Sequence, residues 1–146
     1  MANGNTPCPS GWGKFFAEEF NDQVTVVNSA VGGRSVRTWL YDVTDQKGGD
    51  GECVVNTNGS GIPVLQARWT DMLNQMSEGD YLFIQFGIND GSATCPRHVG
   101  GDAFEEEYAM MAQAAVARGV QPVFLTPVSA VKCSGSKAVG SRGILN

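Results

Sequence analysis

The sequence predicts an α/β fold built around a parallel sheet. Three runs of strand-forming residues, at 24–28, 81–86 and 120–126, alternate with segments whose apolar residues recur at helical spacing. Strands that alternate with helices in this way form parallel βαβ units, with helices on both faces of the sheet. A chain of 146 residues is long enough for one domain and too short for two. We therefore expect residues 1–146 to form a single domain.

The elements of the first part of the chain follow from local patterns. Residues 1–11 are polar and predict a loop, and aromatic residues at helical spacing predict a short amphipathic helix over 11–21. After the strand at 24–28, Ser35 is placed to cap a short helix that carries Trp39 and Leu40 on one face. Residues 44–60 contain four glycines and several Asp and Asn residues, which predicts a long exposed loop.

The second part of the chain begins with an apolar stripe over 62–76 that predicts a helix. The strand at 81–86 follows, and then a loop to about residue 102. A further apolar stripe from Phe104 to Ala115 predicts a helix ended by Gly119, and Pro127 ends the third strand. From residue 130 onward the sequence shows no convincing period. We expect the apolar stripes to pack in the core.

Composition excludes several classes of function. Hydrophobic residues make up 42% of the chain, so a packed core is expected. The formal net charge of −5 argues against nucleic acid as a partner, because phosphate binding needs clustered Lys and Arg. No apolar run approaches the roughly 20 residues that span a bilayer, so no membrane partner is expected. Residues 1–11 do not show the pattern of a signal peptide.

The four cysteines leave two interpretations open. Cys8, Cys53, Cys95 and Cys133 form no Cys-x-x-Cys pair, and His98 is the single histidine of the sequence. A zinc site is therefore disfavoured, and we expect no cofactor. Because each cysteine lies in a loop rich in Gly, Pro or Ser, two disulfides and a secreted or periplasmic location are favoured. The alternative is four reduced thiols in a cytosolic protein.

Two loops that follow predicted strands carry groups suited to binding an oxyanion. A Gly-Gly turn at Gly32 and Gly33 lets backbone N–H groups approach a substrate oxygen, because no Cβ intervenes. The carboxamide of Asn89 offers two uncharged N–H donors. Such donors stabilise the tetrahedral oxyanion of acyl transfer by a few kcal/mol each. Taken alone, either segment is better explained as a tight turn or a loop cap.

Together with their flanks, these loops resemble a known family. The segments at 11–13, 27–35, 79–81, 86–91 and 126–128 occur in the order typical of SGNH (GDSL-type) hydrolases, in the branch of the rhamnogalacturonan acetylesterases. The resemblance implies a three-layer αβα, flavodoxin-like parallel sheet. It also implies that Gly33 supplies a backbone donor of the oxyanion hole and Asn89 the side-chain donor. Arg34 and Asp90 would then position the substrate.

Two features of the family are missing from the sequence. The family nucleophile lies in a Gly-Asp-Ser block at the end of the first strand, whereas this sequence starts Met-Ala-Asn-Gly; an Asp-x-x-His block is also absent. By comparison with the family, we expect the first strand and the C-terminal part to be lacking. A replacement nucleophile would have to come from the serines near the motif loops, with His98 as base. These serines are Ser10, Ser29, Ser35 and Ser92. The alternative for His98 is an ordinary surface imidazole.

The family's strand order has consequences for the sheet and the cysteines. The missing strand would lie between the strands at 24–28 and 81–86 and leave two edges unpaired. Either these strands pair directly, or a second copy of the chain fills the gap, which predicts a homo-oligomer formed through exposed sheet edges. The same order implies two disulfides, Cys8–Cys53 and Cys95–Cys133.

Three hypotheses for function follow. The first is an SGNH-type esterase that acts on acetylated carbohydrate or small acyl esters. The second is an inactive or weakly active remnant that keeps a cleft for carbohydrate or ester ligands. The third is a self-associating α/β module without a ligand.

Overall fold

A computed structural model describes residues 11–128 and 130–142 of the chain, and in this part the fold is α/β, as predicted. The described elements include three two-stranded sheets. The chain divides into two compact units, Met1–Gly33 and Arg34–Asn146. Each unit is described by itself below.

The first unit contains two short 3-10 turns, Trp12–Lys14 and Phe16–Glu19, where a helix was predicted over 11–21. The aromatic residues keep their helical spacing, since the rings of Trp12 and Phe16 meet edge to face at 5.1 Å. The strand predicted at 24–28 is wrong, because these residues belong to none of the described sheets. Its side chains also remain in solvent, and Val27 is 71% exposed. A strand-forming sequence without a pairing partner does not make a strand.

The second unit opens with helix α1, Val36–Leu40, and its cap is the one predicted. The Ser35 hydroxyl accepts a hydrogen bond from Thr38 N, and Thr38 Oγ1 accepts one from Ser35 N. This reciprocal capping box satisfies two backbone donors that the first helical turn leaves free. Ser35 is fully buried, so the cap is part of the protein interior.

Residues 44–60 do not form the long exposed loop that was predicted. Strand β1, Val43–Lys47, pairs antiparallel with strand β2, Cys53–Val55, and the two make a hairpin. The polar composition of β1 hid this strand from the sequence pattern. The next helix, α2, spans Ala67–Gln75 and is shorter than the predicted 62–76. Residues before Pro63 are biased toward extended backbone, and Thr57 forms a β-bridge with Pro63.

The predicted parallel βαβ unit is present. Strand β3, Tyr81–Ile84, leads through helix α3, Gly101–Val116, to strand β4, Gln121–Phe124. The two strands pair in parallel, with Tyr81 opposite Gln121 and Ile84 opposite Phe124. Gly119 adopts a φ of 72°, a left-handed conformation that favours glycine after a helix.

Apolar side chains of α1, α2, α3 and β3 form the core. The predicted apolar stripes supply most of this core. No helix in the described part of the chain is long and apolar enough to cross a membrane. Burying each large aliphatic or aromatic side chain contributes about 1.5–3 kcal/mol. The buried residues include Val36, Trp39, Leu40, Trp69, Leu73, Leu82, Ile84, Phe104, Met111 and Ala115.

A buried ionic cluster connects the hairpin to α1 and α3. Arg37 Nε donates to Glu107 Oε1 at 2.7 Å, and Arg37 NH1 lies 3.1 Å from Glu52 Oε2. The same guanidinium donates to the Cys53 carbonyl at 3.0 Å. Glu52 in turn accepts a hydrogen bond from Gly100 N, at the start of α3. One cation on α1 therefore holds groups from two other elements.

The predicted disulfide pairs, Cys8–Cys53 and Cys95–Cys133, are wrong. Cys53 is bonded to Cys95, and their Cα atoms lie 5.5 Å apart. The prediction followed the strand order of the family, but the hairpin brings Cys53 against the loop that follows β3. Cys8 lies outside the described residues, as does the side chain of Cys133.

The tail beyond residue 130 contains regular structure that the sequence pattern did not predict. Strands β5, Ala130–Ser134, and β6, Lys137–Arg142, pair antiparallel. Gly135 lies in the turn between them with a φ of 60°. This positive φ is the conformation that two-residue hairpin turns require.

We expect the change Cys95→Ser to lower the free energy of unfolding by about 2–4 kcal/mol, because the disulfide closes a long loop of the unfolded chain. Urea unfolding measures this loss, and the reduced wild-type protein should show the same one. Peptide mapping without reductant should recover the Cys53–Cys95 peptide from both the wild type and the control variant Cys133→Ser. Recovery of Cys53 joined to another cysteine contradicts the assignment.

Candidate functional site

The candidate site lies in the turn that follows β3, at the carboxyl end of the strand. Open α/β sheets bind ligands at this end of their strands. The backbone N–H of Phe86 donates to the Tyr108 hydroxyl at 2.7 Å, which attaches the end of the strand to α3. The next residue, Gly87, has a φ of 118°, a conformation that L side chains rarely adopt. Glycine therefore allows the chain to leave the sheet sharply.

The Asp90 carboxylate connects this turn to the beginning of α1. Its Oδ1 accepts a hydrogen bond from Val36 N at 2.7 Å, and its Oδ2 accepts one from Gly87 N at 2.8 Å. Val36 is the first residue of α1, where backbone N–H groups lack helical partners and a negative charge is favoured. One side chain thus holds together two segments that are 54 residues apart.

Asp90 is fully buried, which affects both its charge and its role. Burial raises the pKa of the Asp90 carboxyl, and the hydrogen bonds from Val36 and Gly87 oppose this by favouring the ionised form. A substrate-positioning role was expected for Asp90. In the described structure, both carboxylate oxygens accept backbone hydrogen bonds instead and are not exposed to solvent.

We call the two hydrogen bonds that Asp90 accepts, from Val36 N and Gly87 N, the Asp90 clamp. Asn89 precedes Asp90 in the sequence and is half-buried. Its Nδ2 donates to the Arg34 carbonyl at 3.0 Å. A carboxamide nitrogen carries two N–H groups, so this bond fixes the orientation of the side chain and uses one donor. In the described contacts the second N–H has no partner. Asn89 is therefore a fixed donor with one N–H free for a ligand.

Gly33 is the last residue of the first unit, so it is described apart from Asn89. Its φ is 78°, in the left-handed region. A Cβ built at Gly33 meets no atom within 4 Å, so the backbone conformation, and not crowding, favours glycine here. The predicted pairing of its N–H with the Asn89 amide stays a prediction.

Arg34 contributes a guanidinium without an acidic partner among the described ion pairs. Its Nε is buried and makes no hydrogen bond. A second arginine, Arg68 at the start of α2, donates to the Thr38 carbonyl at 3.3 Å and lies over the Trp39 ring. Burial lowers the pKa of Arg68, and the positive charge of Arg34 lowers it further. Among the described ion pairs, neither Arg34 nor Arg68 has a carboxylate partner.

The candidate nucleophiles and the candidate base are not joined in the described part of the chain. Ser35 is fully buried and its hydroxyl caps α1. His98 Nδ1 lies 2.6 Å from the Ser92 carbonyl oxygen, and the Ser92 hydroxyl itself donates to the Thr94 carbonyl. Ser10 lies outside the described residues. The described hydrogen bonds thus include none between a serine hydroxyl and the His98 ring.

Sequence reasoning missed three residues that shape this site. The Tyr108 hydroxyl, the Arg68 guanidinium and the clamping role of Asp90 were not predicted, although Tyr108 had been placed in the α3 stripe. Helical spacing could identify Tyr108 as a core residue, but the partner of its hydroxyl depends on tertiary packing. For Asp90, the sequence signal was its place directly after Asn89 at a strand end.

We expect Asp90→Asn to destabilise the second unit by roughly 1–3 kcal/mol, because an Asn side chain can accept only one of the two backbone N–H groups and leaves a buried donor unsatisfied. Urea unfolding of the variant against the wild type measures this. Asp71→Asn, which removes the same charge from an exposed position of α2, should change stability by less than about 0.5 kcal/mol. Equal effects of the two changes would contradict the clamp.

Comparison with known proteins gives two curated relatives. The chain is 26% identical over 133 residues to the probable rhamnogalacturonan acetylesterase YesY of Bacillus subtilis (strain 168), covering 86% of this chain and 48% of that protein. It is 28% identical over 119 residues to the rhamnogalacturonan acetylesterase RhgT of the same organism, covering 82% of this chain and 40% of that protein. The chain thus spans about half the length of these relatives, or less.

No family model matches the chain. No solved structure matches it either. The two relatives nevertheless agree with the resemblance read from the motif loops, over most of the chain. Over most of its length the chain is thus similar to these two rhamnogalacturonan acetylesterases.

Proposed function

We propose that this chain belongs to a carbohydrate esterase that removes small acyl groups, acetyl above all, from sugar hydroxyls. Two relatives named as rhamnogalacturonan acetylesterases support the reaction class and the kind of substrate. We also propose the three-layer, flavodoxin-like arrangement of this family for the whole protein, of which β3, α3 and β4 would form one parallel unit.

The observation that carries this proposal is the geometry of Asn89. The side chain is held by one N–H on the Arg34 carbonyl and keeps a second N–H without a described partner. Preorganised donors of this kind stabilise an oxyanion without reorganisation during the reaction. Asn89 would donate to the developing oxyanion, and Gly33 N–H would supply the second donor. The Asp90 clamp would keep the turn in place while the charge develops.

Arg34 is proposed to contact the substrate. Its backbone carbonyl orients Asn89, and its side chain has a buried Nε without a hydrogen bond. A guanidinium offers five N–H donors in a fixed plane, which suits sugar oxygens that lie close together. The proposed substrate contacts are made by the terminal N–H groups of the guanidinium, since the buried Nε is not accessible.

The assay of choice is hydrolysis of p-nitrophenyl acetate and of acetylated oligosaccharide. We expect Asn89→Ala to lower kcat by about 100-fold to 1,000-fold, as loss of one oxyanion donor does in other acyl transfer enzymes. The matched control is Asn74→Ala, at an exposed position of α2, which should leave kcat unchanged.

Two results would contradict the proposal. Equal activity of the wild type and Asn89→Ala would reject the role of Asn89, and a wild-type chain that releases no acyl group would reject esterase activity of this chain. In an active protein, substitution of Ser10, Ser29 or His98 by Ala in the same assay tests them as nucleophile and base. Loss of activity in one serine variant and in His98→Ala would identify the pair.

We also propose that the chain self-associates, since the strand order of the family predicts a homo-oligomer formed through sheet edges. Light scattering should give a mass of at least two chains. A monomeric wild type would overturn this.

A further inference from the structure

A cavity of about 750 Å³, whose lining does not include Asn89, lies among residues of α1, the β1–β2 hairpin and α3. Acidic side chains line it from two elements, Asp50 and Glu52 from the hairpin and Glu106 and Glu107 from α3. Among the described residues, the basic residue that lines it is Arg37. With every carboxylate ionised, this lining carries four negative charges against one positive charge.

The deepest of these carboxylates is incompletely satisfied. Glu107 is 7% exposed, and its Oε1 accepts from Arg37 Nε, but its Oε2 has no hydrogen bond in the described structure. A second nitrogen of Arg37, Nη1, already serves both Glu52 and the Cys53 carbonyl. A buried carboxylate oxygen without a donor is costly, since burial removes its water without replacing it. The cavity therefore favours an added positive charge.

Part of the remaining lining is apolar. Val54, Val55, Pro63 and Met110 supply hydrocarbon surface next to the acidic groups. This combination suits a molecule with a cationic end and a short hydrocarbon part, and most small-molecule sites combine apolar surface with a few polar groups in the same way. A group of acidic residues suited to a bare metal ion is not present in the described part of the chain.

We propose that this cavity binds a small organic cation, a primary amine whose ammonium group lies among Asp50, Glu106 and Glu107 and whose methylene groups contact Val55 and Met110. The site is separate from Asn89 and does not depend on the proposed esterase activity. Its ligand is recognised by charge and by apolar contact together.

Protonation of Glu107 gives this proposal a characteristic pH dependence. Burial raises the pKa of Glu107 to about 7, while Arg37 opposes the shift and the charges of Asp90 and Glu52 add to it. Tyr41, at the end of α1, also faces Glu107, and burial raises the pKa of its hydroxyl, so it stays neutral near pH 7. A bound ammonium favours the ionised carboxylate and lowers the pKa of Glu107. The amine must therefore bind more tightly above pH 7 than below it.

The experiment measures binding of butylamine by isothermal titration calorimetry at pH 6 and pH 8, where the amine stays protonated. Butan-1-ol is the neutral ligand of the same shape. We expect saturable binding of butylamine that tightens several-fold between pH 6 and pH 8, up to about tenfold for each unit by which the ligand lowers the Glu107 pKa. We expect at least tenfold weaker binding of butan-1-ol.

Variants locate the binding. Asp50→Asn removes a charge from the exposed rim and should weaken butylamine binding at both pH values. Glu107→Gln should abolish the difference between pH 6 and pH 8. Glu105→Gln removes a charge from α3 outside the cavity lining and should change neither quantity.

Equal binding of butylamine and butan-1-ol would overturn the proposal, as would equal effects of Asp50→Asn and Glu105→Gln. Because Asp50 is exposed and Asn keeps the oxygen that accepts from Glu52 N, the Asp50 variant tests the site even where Glu107→Gln fails to fold.

Discussion

The arrangement of the candidate site depends on one buried carboxylate, that of Asp90. A buried charge is tolerated only where hydrogen bonds replace its water, and here two backbone N–H groups do so. One of them belongs to the start of α1, where the helix has unpaired donors to offer. The same interaction therefore satisfies the helix end, compensates the charge and fixes the distance between two loops. Because Asn89 directly precedes Asp90, the same hydrogen bonds also fix its position.

In the ionic cluster around Arg37, the buried carboxylates are less completely hydrogen-bonded than Asp90. Two carboxylates share one guanidinium, and the oxygen of Glu107 that faces away from Arg37 Nε has no donor. Burial raises the pKa of both carboxyls, that of Glu107 to about 7. Hydrogen bonds from Val36 and Gly87 oppose the rise at Asp90, and Arg37 opposes it at Glu107. Both carboxylate oxygens of Asp90 accept hydrogen bonds. In the Arg37 cluster, Glu107 Oε2 accepts none in the described structure, and Glu107 lines a cavity.

The sequence predicted the elements whose signal is local. The β3–α3–β4 unit and the Ser35 cap appear where expected, because apolar periodicity and cap chemistry act over a few residues. The β1–β2 hairpin was missed because β1 is mainly polar, and its pairing depends on anchors supplied by Arg37 and by the Cys53–Cys95 bond. At 24–28 the error was the opposite one, because a strand was predicted and none is formed. Strand propensity without a pairing partner does not produce a strand.

In the candidate site, too, the sequence predicted some features and could not predict others. The place of Asn89 in the turn after β3 could be predicted from the sequence, and its role as an oxyanion donor stays a prediction. The role of Asp90 could not be predicted, because neighbouring polar residues in a turn differ in direction, and direction is set by contacts 54 residues away. The adjacent residues Asn89 and Asp90 thus have different structural roles. Asp90 turns inward and uses both oxygens on the backbone, and this fixed turn leaves Asn89 with a free donor. The position from which we propose that Asn89 donates to an oxyanion is therefore a consequence of the structural use of Asp90.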